Sequence, residues 1–118
     1  MRLPTPIGKD RDEREYVINR QASTGGIQRF KAGHHGSAHG LAALIAYVQK
    51  ETPKFWQKRV AGWINDLVEA GQPGWSKEDF LRLEHNNEEK RIAVYSSLHA
   101  RDRDLGEIEL RHLWLQMN

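Results

Sequence analysis

Cysteine is absent from the sequence. Disulfides, thiolate nucleophiles and cysteine-based zinc sites are excluded with it, and a cytoplasmic setting is the natural expectation. No stretch approaches the ~18 consecutive apolar residues of a membrane-spanning helix. The start, Met1-Arg2-Leu3-Pro4-Thr5-Pro6, lacks the apolar segment of a secretory signal. A glycine-rich phosphate loop, a nucleophile elbow and a paired-carboxylate motif of known spacing are all missing, so no cofactor is expected. Neither sign of charge dominates: 18 lysines and arginines face 16 aspartates and glutamates. At 118 residues the chain is expected to form one domain.

The charge is nevertheless uneven. Residues 14–59 hold eight basic and two acidic side chains, whereas residues 60–118 hold seven basic and eleven acidic ones. Such a layout either draws anions to one end or lets the two halves attract each other within the fold.

Residues 1–13, with two prolines and a mixed-charge run, read as a flexible lead, and residues 14–118 as a single α+β domain. Tyr16-Val17-Ile18 and Ile27-Gln28-Arg29-Phe30 are strand-like, with turn chemistry at Ala22-Ser23-Thr24-Gly25-Gly26 between them. Leu41, Leu44, Ile45 and Val48 fall at i, i+3, i+4 and i+7 among alanines, which predicts a helix ending near Glu51. Thr52-Pro53 opens a second helix, with a stripe of Trp56, Val60, Trp63, Ile64 and Leu67 and a stop at Gly71-Gln72-Pro73. Ser76, with Asp79 three residues on, predicts a third, short helix ending at Asn86-Asn87. Ile92, Val94 and Leu98, and then Ile108 and Leu110, alternate with polar neighbours and predict a terminal hairpin. A helix from Leu105 competes with its second strand and loses to Gly106 and the β-branched start. The expected architecture is a two-layer α+β domain: an antiparallel sheet, made of an N-terminal and a C-terminal hairpin, with three central helices.

Three groups of residues carry candidate chemistry. His34, His35 and His39 sit in a glycine-rich loop. His35 and His39 are the metal candidates, since a helix reaching back over them would place both imidazoles on one face, with His85, His99 or a carboxylate to complete the set. The plain alternative is a polar surface loop. Arg29, Lys31, His34 and His35, with Lys50 and with Lys54, Lys58 and Arg59 of the second helix, form the nucleic-acid or anion-binding candidate. Trp56 and Trp63, seven residues apart, read as core, whereas Trp75 and Trp114 are the protein-interface candidates.

The expected function is that of a small non-enzymatic binding or regulatory protein docking onto a protein or protein–nucleic-acid assembly. Direct DNA or RNA binding through residues 14–59 is the first alternative. A histidine-dependent nuclease or metal hydrolase using His34, His35, His39, His99 and Arg29 is the second.

Overall fold

The computed structural model describes residues 1–6, 12–19, 25–33, 39–102 and 105–118. Along these run β1 (Arg2–Leu3), α1 (Gly26–Lys31), β2 (Leu41–Val48), α2 (Pro53–Glu69), a 3-10 turn (Lys77–Asp79), β3 (Arg82–Asn87), β4 (Ile92–His99) and β5 (Ile108–Gln116). The five strands form one sheet in the order β1-β2-β5-β4-β3. β2 is parallel to both β1 and β5, while β5-β4 and β4-β3 are antiparallel. The single α+β domain is as expected, but its sheet is mixed rather than antiparallel, and it has one long helix rather than three. No helix among the described residues is long and apolar enough to cross a membrane.

α2 follows from its end chemistry. The Thr52 hydroxyl accepts the Phe55 N–H at 3.2 Å, Pro53 occupies the first turn, and Gly71 takes a positive φ of 69° just beyond the last turn. Its whole predicted stripe, from Trp56 to Leu67, is buried. Ser76 also caps as expected, with its N–H on Asp79 Oδ2 at 2.7 Å. The helix it opens is only one turn long, and the chain then becomes β3.

The first predicted helix is instead β2. Its residues are apolar at helical spacing and at strand spacing alike, and pairing on both sides decides the outcome: Tyr47 with Arg2, and Leu41 to Val48 with Glu109 to Gln116. Leu44, Ala46 and Val48 face the core while Leu41, Ile45 and Tyr47 face out. Ala46 lies beside Trp114, which lies beside Ala93, so two small residues flank one large one in a single row across the sheet.

The predicted N-terminal hairpin does not form either. Residues 13–17 are a turn, and their carbonyls receive the otherwise unpaired amides of α1: Gly26 on Glu15 at 2.7 Å, Ile27 on Tyr16 at 3.0 Å and Gln28 on Val17 at 3.0 Å. A β-carbon on Gly25 would stand 2.4 Å from the Ile18 Cα, and one on Gly26 would stand 2.5 Å from the Tyr16 oxygen, so both glycines are needed for this contact. The lead expected over residues 1–13 is partly built into the fold. Leu3 is fully buried, and Arg2–Leu3 extend the sheet, while residues 7–11 lie outside the described residues.

The C-terminal hairpin is present as predicted, with Ile92 opposite Leu115 and His99 opposite Ile108. Its inward side carries Ala93, Tyr95, Ser97 and His99 on β4, and Ile108, Leu110, His112 and Trp114 on β5. The core formed there joins α2, Tyr16, Val17, Ile27 and Phe30, so every helix packs on the same side of the sheet.

Candidate functional site

Inside this core runs a continuous line of polar groups. Trp114 Nε1 donates to the Tyr16 hydroxyl at 2.9 Å, and that hydroxyl lies 2.6 Å from His112 Nδ1. His112 Nε2 is 2.6 Å from Ser97 Oγ, which is 2.6 Å from His99 Nε2. His99 Nδ1 is 2.6 Å from Asp79 Oδ1, and Lys31 Nζ donates to the same oxygen at 2.9 Å and to the Ala100 carbonyl at 3.0 Å. All of the side chains in this line are buried. The strand period places Ser97 and His99 on one face of β4 and His112 on the same face of β5.

The two ends fix the proton positions between them. Indole N–H can only donate and an ionised carboxylate can only accept. The Tyr16 hydroxyl therefore donates to His112 Nδ1, His112 Nε2–H to Ser97, the Ser97 hydroxyl to His99 Nε2, and His99 Nδ1–H to Asp79. Both imidazoles are neutral in this arrangement. Burial holds His112 down to about 3, with the neighbouring His99 adding to the effect. Burial also lowers His99, against the opposing pull of Asp79. Burial alone would raise Asp79, but hydrogen bonds from His99, the Ser76 N–H and Lys31 outweigh it and keep the carboxyl below its usual range. Burial drives the Tyr16 phenol far above its ordinary value.

Asp79, His99 and Ser97 make the contacts of a carboxylate–base–nucleophile triad. Ser97 is nevertheless fully buried, and its oxygen is shared by two imidazoles. No substrate carbonyl reaches it. The line is an internal lock joining α1, the 3-10 turn, β4, β5 and the turn at residues 13–17.

The sequence-derived candidates separate into distinct places. Lys31 is not an anion-binding surface residue: it is sealed against Asp79 and lies over the Trp75 ring, 4.8 Å from its centroid. Arg29 is half-buried on α1, with its Nε buried and without a hydrogen bond among the described residues. Lys50, Lys54, Lys58 and Arg59 are all exposed, and Arg59 lies over Trp63. Trp114 is fully buried in the core rather than at a surface, whereas Trp75 is half-buried against the core. His34 and His35 lie outside the described residues, and His39 is exposed immediately before β2, not on a helix. Among the described residues no group of three or more histidines and carboxylates is arranged to hold a metal ion. Tyr16, Asp79, Ser97 and His112 carry the lock and escape a motif search. Their signal is the polar Ser97 and His99, two apart, on a strand otherwise rich in apolar residues.

Among the described residues no layer covers the opposite side of the sheet. Leu41, Ile45 and Tyr47 of β2 are 59%, 46% and 43% exposed. Register places Ile45 beside Leu113 beside Val94, and Tyr47 beside Leu115 beside Ile92. These two adjacent rows make one apolar surface across the three central strands. Beyond them, in the next two rows, the Arg111 guanidinium and the Glu109 carboxylate pair with each other at 2.6 Å.

Comparison with protein-family models, with curated proteins and with solved structures yields no match.

Proposed function

We propose that the chain is a small non-enzymatic binding protein that docks through the open face of its sheet onto a protein partner, alone or within a protein–nucleic-acid assembly. The bare apolar surface on β2 and β5 carries this reading. A strand paired in parallel on both sides is ordinarily covered on both faces; β2 is so paired, and its outer face holds the most exposed apolar residues of the sheet's centre. Strand addition at the edges is disfavoured, because β1 has two residues and β3 carries Arg82, Glu84, His85 and a register shift.

The size of the face indicates the kind of partner. Three central strands of about eight residues, each about 26 Å long at about 4.8 Å spacing, offer on the order of 400 Å² per side. Doubled, that falls at the small, transient end of protein contacts and well under what an obligate homodimer buries. It suits a separate protein with an apolar surface, met by regulated docking. The absence of cysteine supports a cytoplasmic setting.

The test is the variant Ile45→Lys with Leu113→Lys, both side chains lying on the open face. Wild type and variant are used to capture partners from the native host, with and without nuclease, and affinity is then measured with the purified partner. The variant is expected to keep its melting temperature and lose the partner. A variant that binds the purified partner as tightly as wild type overturns the proposal. Wild-type dimerisation abolished by the variant assigns the face to a second copy instead.

A second reading, direct binding of DNA or RNA, is favoured by the exposed Lys50, Lys54, Lys58 and Arg59. Binding that falls steeply with salt and is lost on Lys54→Glu plus Lys58→Glu supports it.

A further inference from the structure

A recess of about 600 Å³ lies between the N-terminus of α2 and the β3–β4 hairpin. That volume is in the range of small-molecule sites. Its rim has a cation from each side: Lys54 from the first turn of α2, and Arg91 from the hairpin. Arg91 also donates to the Asn118 main-chain oxygen. The one carboxylate on the lining, Glu88, does not cancel both cations. The helix end adds to the positive field. Pro53 has no N–H and Phe55 N–H is taken by Thr52, so the Lys54 N–H is the first-turn donor left for a ligand.

A second observation is independent of the helix end. Tyr95 lines the recess and is only 2% exposed, yet its hydroxyl has no hydrogen-bond partner among the described residues. The contrast with Tyr16 is direct, since that hydroxyl is engaged by both Trp114 and His112. The hydroxyl is not closed off, since Arg29 Nε is the one fully buried side-chain polar atom without a partner among the described residues, so the phenol donor is open to water or a ligand. The Tyr95 ring is fixed against Trp114, with centroids 4.6 Å apart, so the hydroxyl is held in place beside an unfilled space. Leu83, 54% exposed and opposite Tyr95 in the sheet, gives the same space an apolar wall.

We propose that this recess binds a small organic anion: a carboxylate or phosphate head held by Lys54, the α2 N-terminus and Arg91, an apolar body resting on Leu83, and the Tyr95 hydroxyl donating to the bound molecule. Burial keeps that phenol protonated as a donor, its pKa pushed up to about 12.

Three probes share one ring and differ in charge: phenyl phosphate, phenylacetate and benzyl alcohol. Each is titrated into the whole chain and followed by amide chemical shifts. At least one anion is expected to saturate one site with shifts centred on Lys54, Ile92 and Tyr95, and benzyl alcohol to leave them unmoved. The stronger anion identifies the head group as phosphate or carboxylate. Lys54→Gln and Tyr95→Phe should each weaken binding by about fivefold or more, with melting curves confirming that both variants fold, and Lys50→Gln, outside the recess, should bind as wild type does. The proposal is overturned if neither anion saturates below about 10 mM, if benzyl alcohol binds as well as the anions, or if Tyr95→Phe retains wild-type affinity.

Discussion

His99 and His112 are hydrogen-bonded to one and the same hydroxyl, that of Ser97, which stands 2.6 Å from the Nε2 of each. A single hydroxyl donates only once, so one imidazole must accept from it and the other must donate to it. The two histidines are therefore in opposite tautomers, His112 with its proton on Nε2 and His99 with its proton on Nδ1. Nitrogen-15 NMR of the imidazoles at neutral pH is expected to show this pair. Two identical tautomers would break the proton assignment.

Acid should unfold the protein through these same groups. The folded state holds both histidines neutral, His112 down to about 3. In the unfolded chain they take up protons near 6.5. Stability is then fully present above about pH 6.5 and declines as pH falls toward 3, by up to about 1.4 kcal/mol per pH unit for His112, with His99 adding to the loss in the same direction. Asp79, also held below its ordinary value, adds to the loss under more acid conditions. Urea unfolding between pH 8 and pH 4 measures it, and a flat profile down to pH 4 contradicts it.

Removing Lys31 leaves the buried Asp79 carboxylate short of its cation. Lys31→Ala should cost about 3–5 kcal/mol, far more than a surface lysine would. Lys58→Ala, at an exposed position, is the control and should stay within about 0.5 kcal/mol. Equal losses in chemical denaturation would mean that Lys31 is not sealed.

Two glycines should respond to alanine in opposite directions. Gly62→Ala, at a mid-helix position with open space around it, should stabilise α2 by about 0.5–1 kcal/mol. Gly25→Ala drives a methyl into the Ile18 main chain and should destabilise by about 1–3 kcal/mol. Melting temperatures that shift the same way in both variants would argue against the α1 contact.

What the sequence reveals depends on how local the cause is. α2 was legible because Thr52-Pro53 and Gly71 act within a turn of its ends, and the β4–β5 hairpin because its period is two. β2 was not, because its partners Arg2–Leu3 and Ile108–Gln116 are remote and its alanines, which make room for Trp114, raise helix propensity. The same remoteness hid the lock. Lys31, Asp79, His99 and Tyr16 come from four separate elements, and polar side chains enter the core only because each satisfies the next. The outward rows of Ile92, Val94, Leu113 and Leu115 point the other way, so the open side of the hairpin carries as many apolar residues as the buried one.

The parallel pairing of β2 with β5 also sets an order of events in time. β4 and β5 are joined by a short connection and can pair early, whereas Leu41 must find Glu109 across most of the chain. Closing so long a loop is entropically slow, and topologies of this kind fold later than locally paired ones. Until β5 is in place, β2 has only the two residues of β1 beside it, and both of its apolar sides are bare. The hazard for this protein is thus kinetic: at high concentration, β2 segments of neighbouring chains compete with β5 during refolding, and yield should fall with concentration.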